Sequence, residues 1–317
     1  MASNGHSTTR PPTAPLAGPK ATFYDRILTR TFVKDCLCED CARDHYLNYP
    51  YSCYLNHPPN EIPILPLQRP TIIYNSRMRS GRYEALQLVR SSIQYFSRPR
   101  KELDIGQIRS ASEIQKWLYH QDLIARLGSH DIRGTLTVDD MKALIKHLLC
   151  LFFFGAAIPF DFAWHSHYLE TNVNSIGVTV TENRNGEDVQ CIAMHPTRVI
   201  MSGSPDRDFT RALAIQRLST LMHELIHAVI LALCCRACRA AGDNLAIHGR
   251  AWQRLALGVE AEFAKLFGLS LDLGRMDGVF HDMKNAGARF HYPSRHDLEV
   301  FGFVEPRTEG TGMPGGG

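Results

Sequence analysis

The sequence has no apolar run long enough to cross a bilayer. The candidate Leu148 to Phe160 is thirteen residues long and carries Gly155 and Pro159, short of the ~20 residues a spanning helix needs. Strong charge imbalance is also missing: a formal net charge of +3 is too small to imply nucleic-acid binding by itself. After Cys238 no cysteine occurs, which excludes a Cys-x-x-Cys pair of pairs in the C-terminal part. The stretch Met1 to Lys20, rich in Ser, Thr, Pro and Gly, lacks the apolar core of a secretory signal and is expected to be a disordered tail. Nine cysteines, an odd count without such a signal, point to a reducing compartment rather than a disulfide scaffold, so an intracellular protein of the nucleus or cytoplasm is expected. A hydrophobic content of 44% is ordinary for a globular core.

What is present is the run His223-Glu224-Leu225-Ile226-His227. On a helix, residues four apart share a face, so His223 and His227 can offer nitrogens to one ion. Glu224, rotated by about 100°, is placed as a general base rather than a ligand. Leu213, Leu218, Leu221, Leu225 and Val229 recur at helical intervals with no Gly or Pro between, which predicts one helix over about Phe209 to Cys234. Three ionisable side chains inside its apolar part are costly unless something satisfies them. A metal would do so, and so would hydrogen bonds to neighbouring groups.

A third ligand would separate these readings. His248 follows a turn signal at Gly242 to Asn244 and precedes a second periodic helix, roughly Arg250 to Phe267, in which Trp252 can pack beneath the ligand. His165, His167 and Asp243 are next in line. His165 and His167 would face the same side of a strand, and are read as lining the site.

A HExxH helix, a loop and then His-Gly-x-x-aromatic opening another helix resembles the SprT-like (Spartan-related) zinc metallopeptidases. The resemblance implies that His223, His227 and His248 bind Zn²⁺ and that Glu224 is the catalytic base. It extends to Leu151-Phe152-Phe153-Phe154-Gly155 with Ile158 and Trp164, an aromatic helix end leading into a first strand, and covers about residues 148 to 268. It implies an α+β fold with a zincin-like core, a short sheet plus the HExxH helix. Two departures stand out: residues 228–247 make a longer interval between ligands than the family's, containing Cys234, Cys235 and Cys238, and the family's C-terminal zinc ribbon is missing.

Around that core the sequence predicts strands at Ser175 to Thr181 and Gln190 to Met194 separated by a polar turn, Glu182 to Asp188. It predicts helices at Arg82 to Phe96 and Ser112 to Leu127, and a helix capped by Thr137 and running to Cys150. The resulting organisation is a tail (1–22), a Cys/Tyr/Pro-rich and basic accessory region (23–104), the metallopeptidase domain with leading helices (105–268), a C-terminal extension (269–305) in which no elements are assigned, and a second tail (306–317). Cys36, Cys38 and Cys41, with Cys53, His45 and His57 nearby and Cys235 and Cys238 in reserve, offer a structural zinc knot of irregular spacing, free thiols or a partly buried cysteine cluster. Arg77, Arg79, Arg82, Arg90, Arg98, Arg100 and Lys101 face only Glu84 among acids, a solvated helix face or a phosphate-contacting patch.

The function expected is peptide-bond hydrolysis by zinc-activated water, with a protein as substrate and proteins on DNA the class to test first. No membrane partner is expected. Tyr168, His281, His291 and Tyr292 are candidates for stabilising the oxyanion. The competing expectation is a zinc-stabilised binding or scaffold protein without turnover. A hydrolase acting on a non-peptide bond is a third.

Overall fold

The computed structural model describes residues 78, 80–81, 83, 85–165, 167–171, 175–198, 209–234, 248–286 and 295–304. Both expected tails, the cluster of Cys36, Cys38, Cys41 and Cys53 with His45 and His57, Arg77, Arg79, Arg82, the Cys235–Cys238 pair, Asp243, His291 and Tyr292 lie outside them. In chain order the elements are α1 (Ala85–Phe96), α2 (Ile105–His120), α3 (Leu123–Leu127), α4 (Val138–Phe152), β1 (Phe160–Trp164), α5 (His167–Thr171), β2 (Gly177–Arg184), β3 (Glu187–Met194), α6 (Phe209–Leu233), α7 (Arg250–Phe267), α8 (Arg275–Ala286) and α9 (Arg295–Val300). The class is α+β, with helices around a small three-stranded sheet.

Polar start signals open the leading helices. Thr137 accepts the Asp140 N–H and Asp140 accepts the Thr137 N–H, a reciprocal cap that starts α4 where the sequence placed it. Asp104 and Gln107 form the same device at α2. That cap starts α2 well before Ser112, and Asp122 takes left-handed backbone with φ 48°, so the single helix expected over Ser112 to Leu127 is two.

The sheet runs β1-β3-β2, with β1 parallel and β2 antiparallel to β3. The strands of the hairpin are longer than expected, and the polar turn at Glu182 to Asp188 shrinks to Asn185-Gly186, with φ of 56° and 85°. Such a pair of left-handed residues matches the twist of a tight two-residue hairpin. The flanking polar residues are strand partners, with Asn183 opposite Asp188 and Arg184 opposite Glu187.

α6, 25 residues long, is buried on nearly every face, against β2 and β3 on one side and α3 and α7 elsewhere. A helix that is apolar all round belongs in a core. Arg217 on α6 is 3% exposed, and its guanidinium donates to the carbonyls of Leu127 (2.6 Å), Pro196 (2.7 Å), His130 (3.3 Å) and Ser129. It ties α6 to the end of α3 and the exit of β3. The C-terminal turn of α6 is met by the segment before α1: Gly81 N–H donates to Ala232 O and Tyr83 N–H to Leu233 O.

One apolar core runs from Tyr83 to Leu273 and joins α1, α2, α4, α6 and α7, with Phe96, Phe152, Trp252 and Phe263 among its largest side chains. Beyond Phe267, where the sequence showed no assignable pattern, α8 and α9 are held by ion pairs. Arg250 grips the buried Asp297 through two bonds of 2.6 and 2.8 Å, and Arg275 meets Glu260 at 2.6 Å. No helix of the described residues is long and apolar enough to cross a membrane.

Candidate metal centre

The middle of α6 presents His223 and His227 on one face, and His248 enters from the turn before α7. Their Nε2 atoms form a near-equilateral triangle: His223 to His227 3.1 Å, His223 to His248 3.1 Å, His227 to His248 3.2 Å. These three nitrogens could hold a metal ion. Trp252, 1% exposed, lies against all three rings, with centroids 4.6, 5.5 and 4.8 Å from those of His223, His227 and His248. Its place one turn after His248 makes it the floor of the cluster.

The other nitrogens of two rings are engaged. His223 Nδ1 is 2.8 Å from the carbonyl oxygen of Leu273, which can only accept, so Nδ1 carries the proton and Nε2 is a bare lone pair. His248 Nδ1 is 3.1 Å from Asp282 Oδ1, and the His248 backbone N–H donates to Asp282 Oδ2 at 2.7 Å. Burial pushes the His223 imidazole down to about 3, reinforced by the neighbouring His248, and burial takes His227 well below its ordinary value. Imidazole nitrogens brought together in this way are a ligand set for a cation.

Glu224 points to the sheet. Thr179 on β2 donates its hydroxyl to Glu224 Oε2 at 2.8 Å and also to the Glu224 carbonyl at 2.9 Å. A Cβ on Gly177 would lie 2.9 Å from Glu224 Cγ and Oε1 and 2.6 Å from a Thr220 methyl, so only glycine lets β2 approach α6 this closely. Burial raises the Glu224 carboxyl to about 7, against the lowering effect of the Thr179 bond.

Of the other residues singled out from the sequence, His281 lies beside His248 and Asp282, within 4.8 Å between ligand atoms, and His165, His167 and Tyr168 stand apart from the triangle. His165, with left-handed backbone of φ 83°, packs its ring 5.4 Å from that of His195, and His167 pairs with Glu170 at 3.3 Å; neither joins the histidine triangle. They do not share a strand face as expected, because β1 ends at Trp164 and His167 opens α5. Tyr168 is 55% exposed on α5. His281, on α8, lies with its ring centroid 6.1 Å from that of His248. In the basic run, Arg98 is neutralised: it donates to Gln107 Oε1 and Tyr95 O and lies 3.8 Å from Asp104, an acid the sequence reading did not place near it.

Three residues at the centre escaped sequence reasoning. Asp282 and the Leu273 carbonyl come from the region without assigned elements. Gly278 on α8 allows close approach to the His248 ring, since a Cβ there would lie 2.7 Å from His248 Cγ. The Gly-x-x-x-Asp spacing of Gly278 and Asp282, one face of a helix, was the available signal, but it has no meaning without knowing what the face meets. No family model matches the chain, and no curated protein or solved structure is detectably similar to it.

Proposed function

We propose that the chain is a zinc-dependent metallopeptidase of SprT-like type, with a zincin-like core formed by α6 and the sheet and with His223, His227 and His248 as ligands. The observation that carries this reading is the triangle of three Nε2 atoms at 3.1–3.2 Å, one residue from a buried carboxylate. Ligand atoms on a tetrahedral zinc with bonds of ~2.0–2.1 Å lie about 3.3–3.4 Å apart, so the nitrogens need to open by only about 0.2 Å. Three imidazole ligands suit this borderline ion, and three protein ligands leave a position for water.

Bound there, zinc supplies a Lewis acid that eases loss of a proton from water and polarises a scissile carbonyl. Glu224 takes the water's proton at Oε1, because Oε2 is held by Thr179. It then delivers that proton to the departing amine, so that one water and one peptide bond become a carboxylic acid and an amine. Thr179 and the close strand at Gly177 fix the carboxylate against α6 during both transfers. Trp252 and the Leu273 carbonyl keep the histidine rings in place.

The substrate class to test first is protein bound to DNA, an inference from the family resemblance alone. The experiment is elemental analysis of the purified chain joined to proteolysis assays with and without single-stranded DNA. His248→Ala should lose most of its zinc, and Glu224→Gln should keep zinc while cleavage falls by about two orders of magnitude or more. Zinc retention in His248→Ala or undiminished cleavage by Glu224→Gln refutes the assignment. A zinc-loaded wild type that cleaves nothing under any of these conditions would favour a non-catalytic scaffold.

A further inference from the structure

We propose that Asp282, on α8 and outside the segment that resembles the family, is the positioning residue that determines which nitrogen of His248 faces the metal. The inference rests on reading the three histidines as a metal centre. His248 offers two donors on the side away from the cluster, its backbone N–H and its ring Nδ1–H. Asp282 meets both, with Oδ2 2.7 Å from the backbone nitrogen and Oδ1 3.1 Å from Nδ1. Only a carboxylate has an acceptor at both ends; a carboxamide has one acceptor and one donor. With the proton held at Nδ1, Nε2 is left bare, 3.1 Å from His223 Nε2 and 3.2 Å from His227 Nε2. The opposite tautomer would put an N–H in that gap and remove His248 as a ligand.

His223 and His248 are oriented by different means. His223 is held by the backbone carbonyl of Leu273, which no side-chain replacement removes. The tautomer of His248 depends on a single side chain, whose carboxylate is 3% exposed. α8 is built to present it. Gly278, one turn before Asp282 on the same face, lies against the His248 ring, and the start of α8 is pinned by the Arg275–Glu260 pair at 2.6 Å and by Gln253, whose carboxamide donates to Arg275 O at 2.9 Å. His281 Nδ1 is 3.6 Å from Asp282 Oδ1, beyond hydrogen-bonding distance, and half exposed, so the contact that Asp282 makes at bonding distance is to His248. Carboxylate partners of metal-bound histidines fix ring orientation and tautomer in this way.

The test uses the full chain. In metal-free, ¹⁵N-labelled wild type, long-range ¹H–¹⁵N correlation should show the His248 proton on Nδ1, the signal being assigned by its loss in His248→Ala. In Asp282→Asn the amide oxygen takes the backbone N–H, its NH₂ faces Nδ1, and the ring proton should move to Nε2. Zinc affinity of that variant, measured by competition with a chelator, should fall about 10- to 100-fold, with far-UV circular dichroism and melting of the metal-free protein close to wild type. A proton on Nε2 in the wild type, or an Asn variant binding zinc within twofold of wild type, overturns the proposal. The wild-type tautomer decides the matter even if Asp282→Asn does not fold. A wild type that takes up no zinc would sink the peptidase reading, while a proton on Nδ1 would still uphold the hold of Asp282 on the ring.

Discussion

Replacing Gly278 by alanine tests the close seat of α8 against His248, the third ligand in the proposed zinc site. The added methyl would stand 2.7 Å from His248 Cγ and 3.0 Å from its Cβ and Cδ2, where ordinary contact begins at 3.4 Å. Relief requires about 0.7 Å of movement, and a metal site tolerates only about 0.2 Å in its ligand distances. The ring cannot yield freely, being packed on Trp252 and bonded to Asp282. Alanine gains about 0.5–1 kcal/mol of helix propensity over glycine, and overpacking costs about 1–3 kcal/mol, so the metal-free fold should lose at most about 2.5 kcal/mol. Zinc affinity should fall at least about tenfold. At free zinc 100 times the wild-type dissociation constant, the ion adds about 2.7 kcal/mol of stability to wild type but only about 1.4 kcal/mol to a variant binding tenfold more weakly. The assay is therefore thermal melting with and without zinc, in which the zinc-induced rise in Tm should be roughly halved. Gly134→Ala, where a Cβ meets nothing within 4 Å, is the control and should respond to zinc as wild type does. A Gly278→Ala protein with an undiminished zinc-induced shift would refute the geometry.

Further outcomes follow from the same contacts. Gly177→Ala, whose methyl would press first on Thr220 Cγ2 and on Glu224 Cγ and Oε1, should leave zinc content intact and lower cleavage by at least about tenfold; equal cleavage would show that the carboxylate's seat on β2 is irrelevant. Arg217→Met strips the buried Leu127 and Pro196 carbonyls of their donor and should cost about 3 kcal/mol or more, a fall in Tm of about 6–12 °C by calorimetry; a change below about 2 °C would contradict the role given to Arg217. Hydrogen bonds from Lys142, then from Arg184 and the Phe162 N–H, hold the Asp161 carboxyl down at about 2 against an ordinary 3.8. Because the folded value is the depressed one, its stabilisation is present above pH ~4 and is lost as pH falls through about 2. The gap in urea midpoint between wild type and Asp161→Asn should therefore be open at pH 5 and narrow towards pH 2; a gap independent of pH would remove Asp161 from the acid limb.

Elements whose pattern is local were legible without the fold. Thr137 and Asp140 announce a helix start because both halves of the cap lie within one turn, and the apolar residues from Leu213 to Val229 mark α6 because burial on all sides leaves no polar stripe to misread. His223, Glu224 and His227 were legible for the same reason: helical spacing alone sets their relative directions. The hairpin was misjudged because polar residues flanking Asn185-Gly186 look like loop when counted singly and like strand only when paired across the turn, Asn183 with Asp188. The break at Asp122 depends on a single left-handed residue, which composition does not reveal.

The surroundings of the site depended on tertiary structure. Whether His248, His165 or His167 meets the helix pair is a matter of chain path, and the fold brings His248 Nε2 to within 3.2 Å of both while leaving the other two beside Glu170 and His195. Asp282, Gly278 and the Leu273 carbonyl act on histidines at least thirty positions away in sequence, and no periodicity links them. What the sequence by itself determined is the chemistry on offer, two imidazoles and a carboxylate on one apolar helix, because side-chain identity and helical pitch are local properties. Only the tertiary structure decided which third nitrogen joins them and which groups turn the rings, because those depend on where α7 and α8 cross α6, and that is settled by the packing of the whole core.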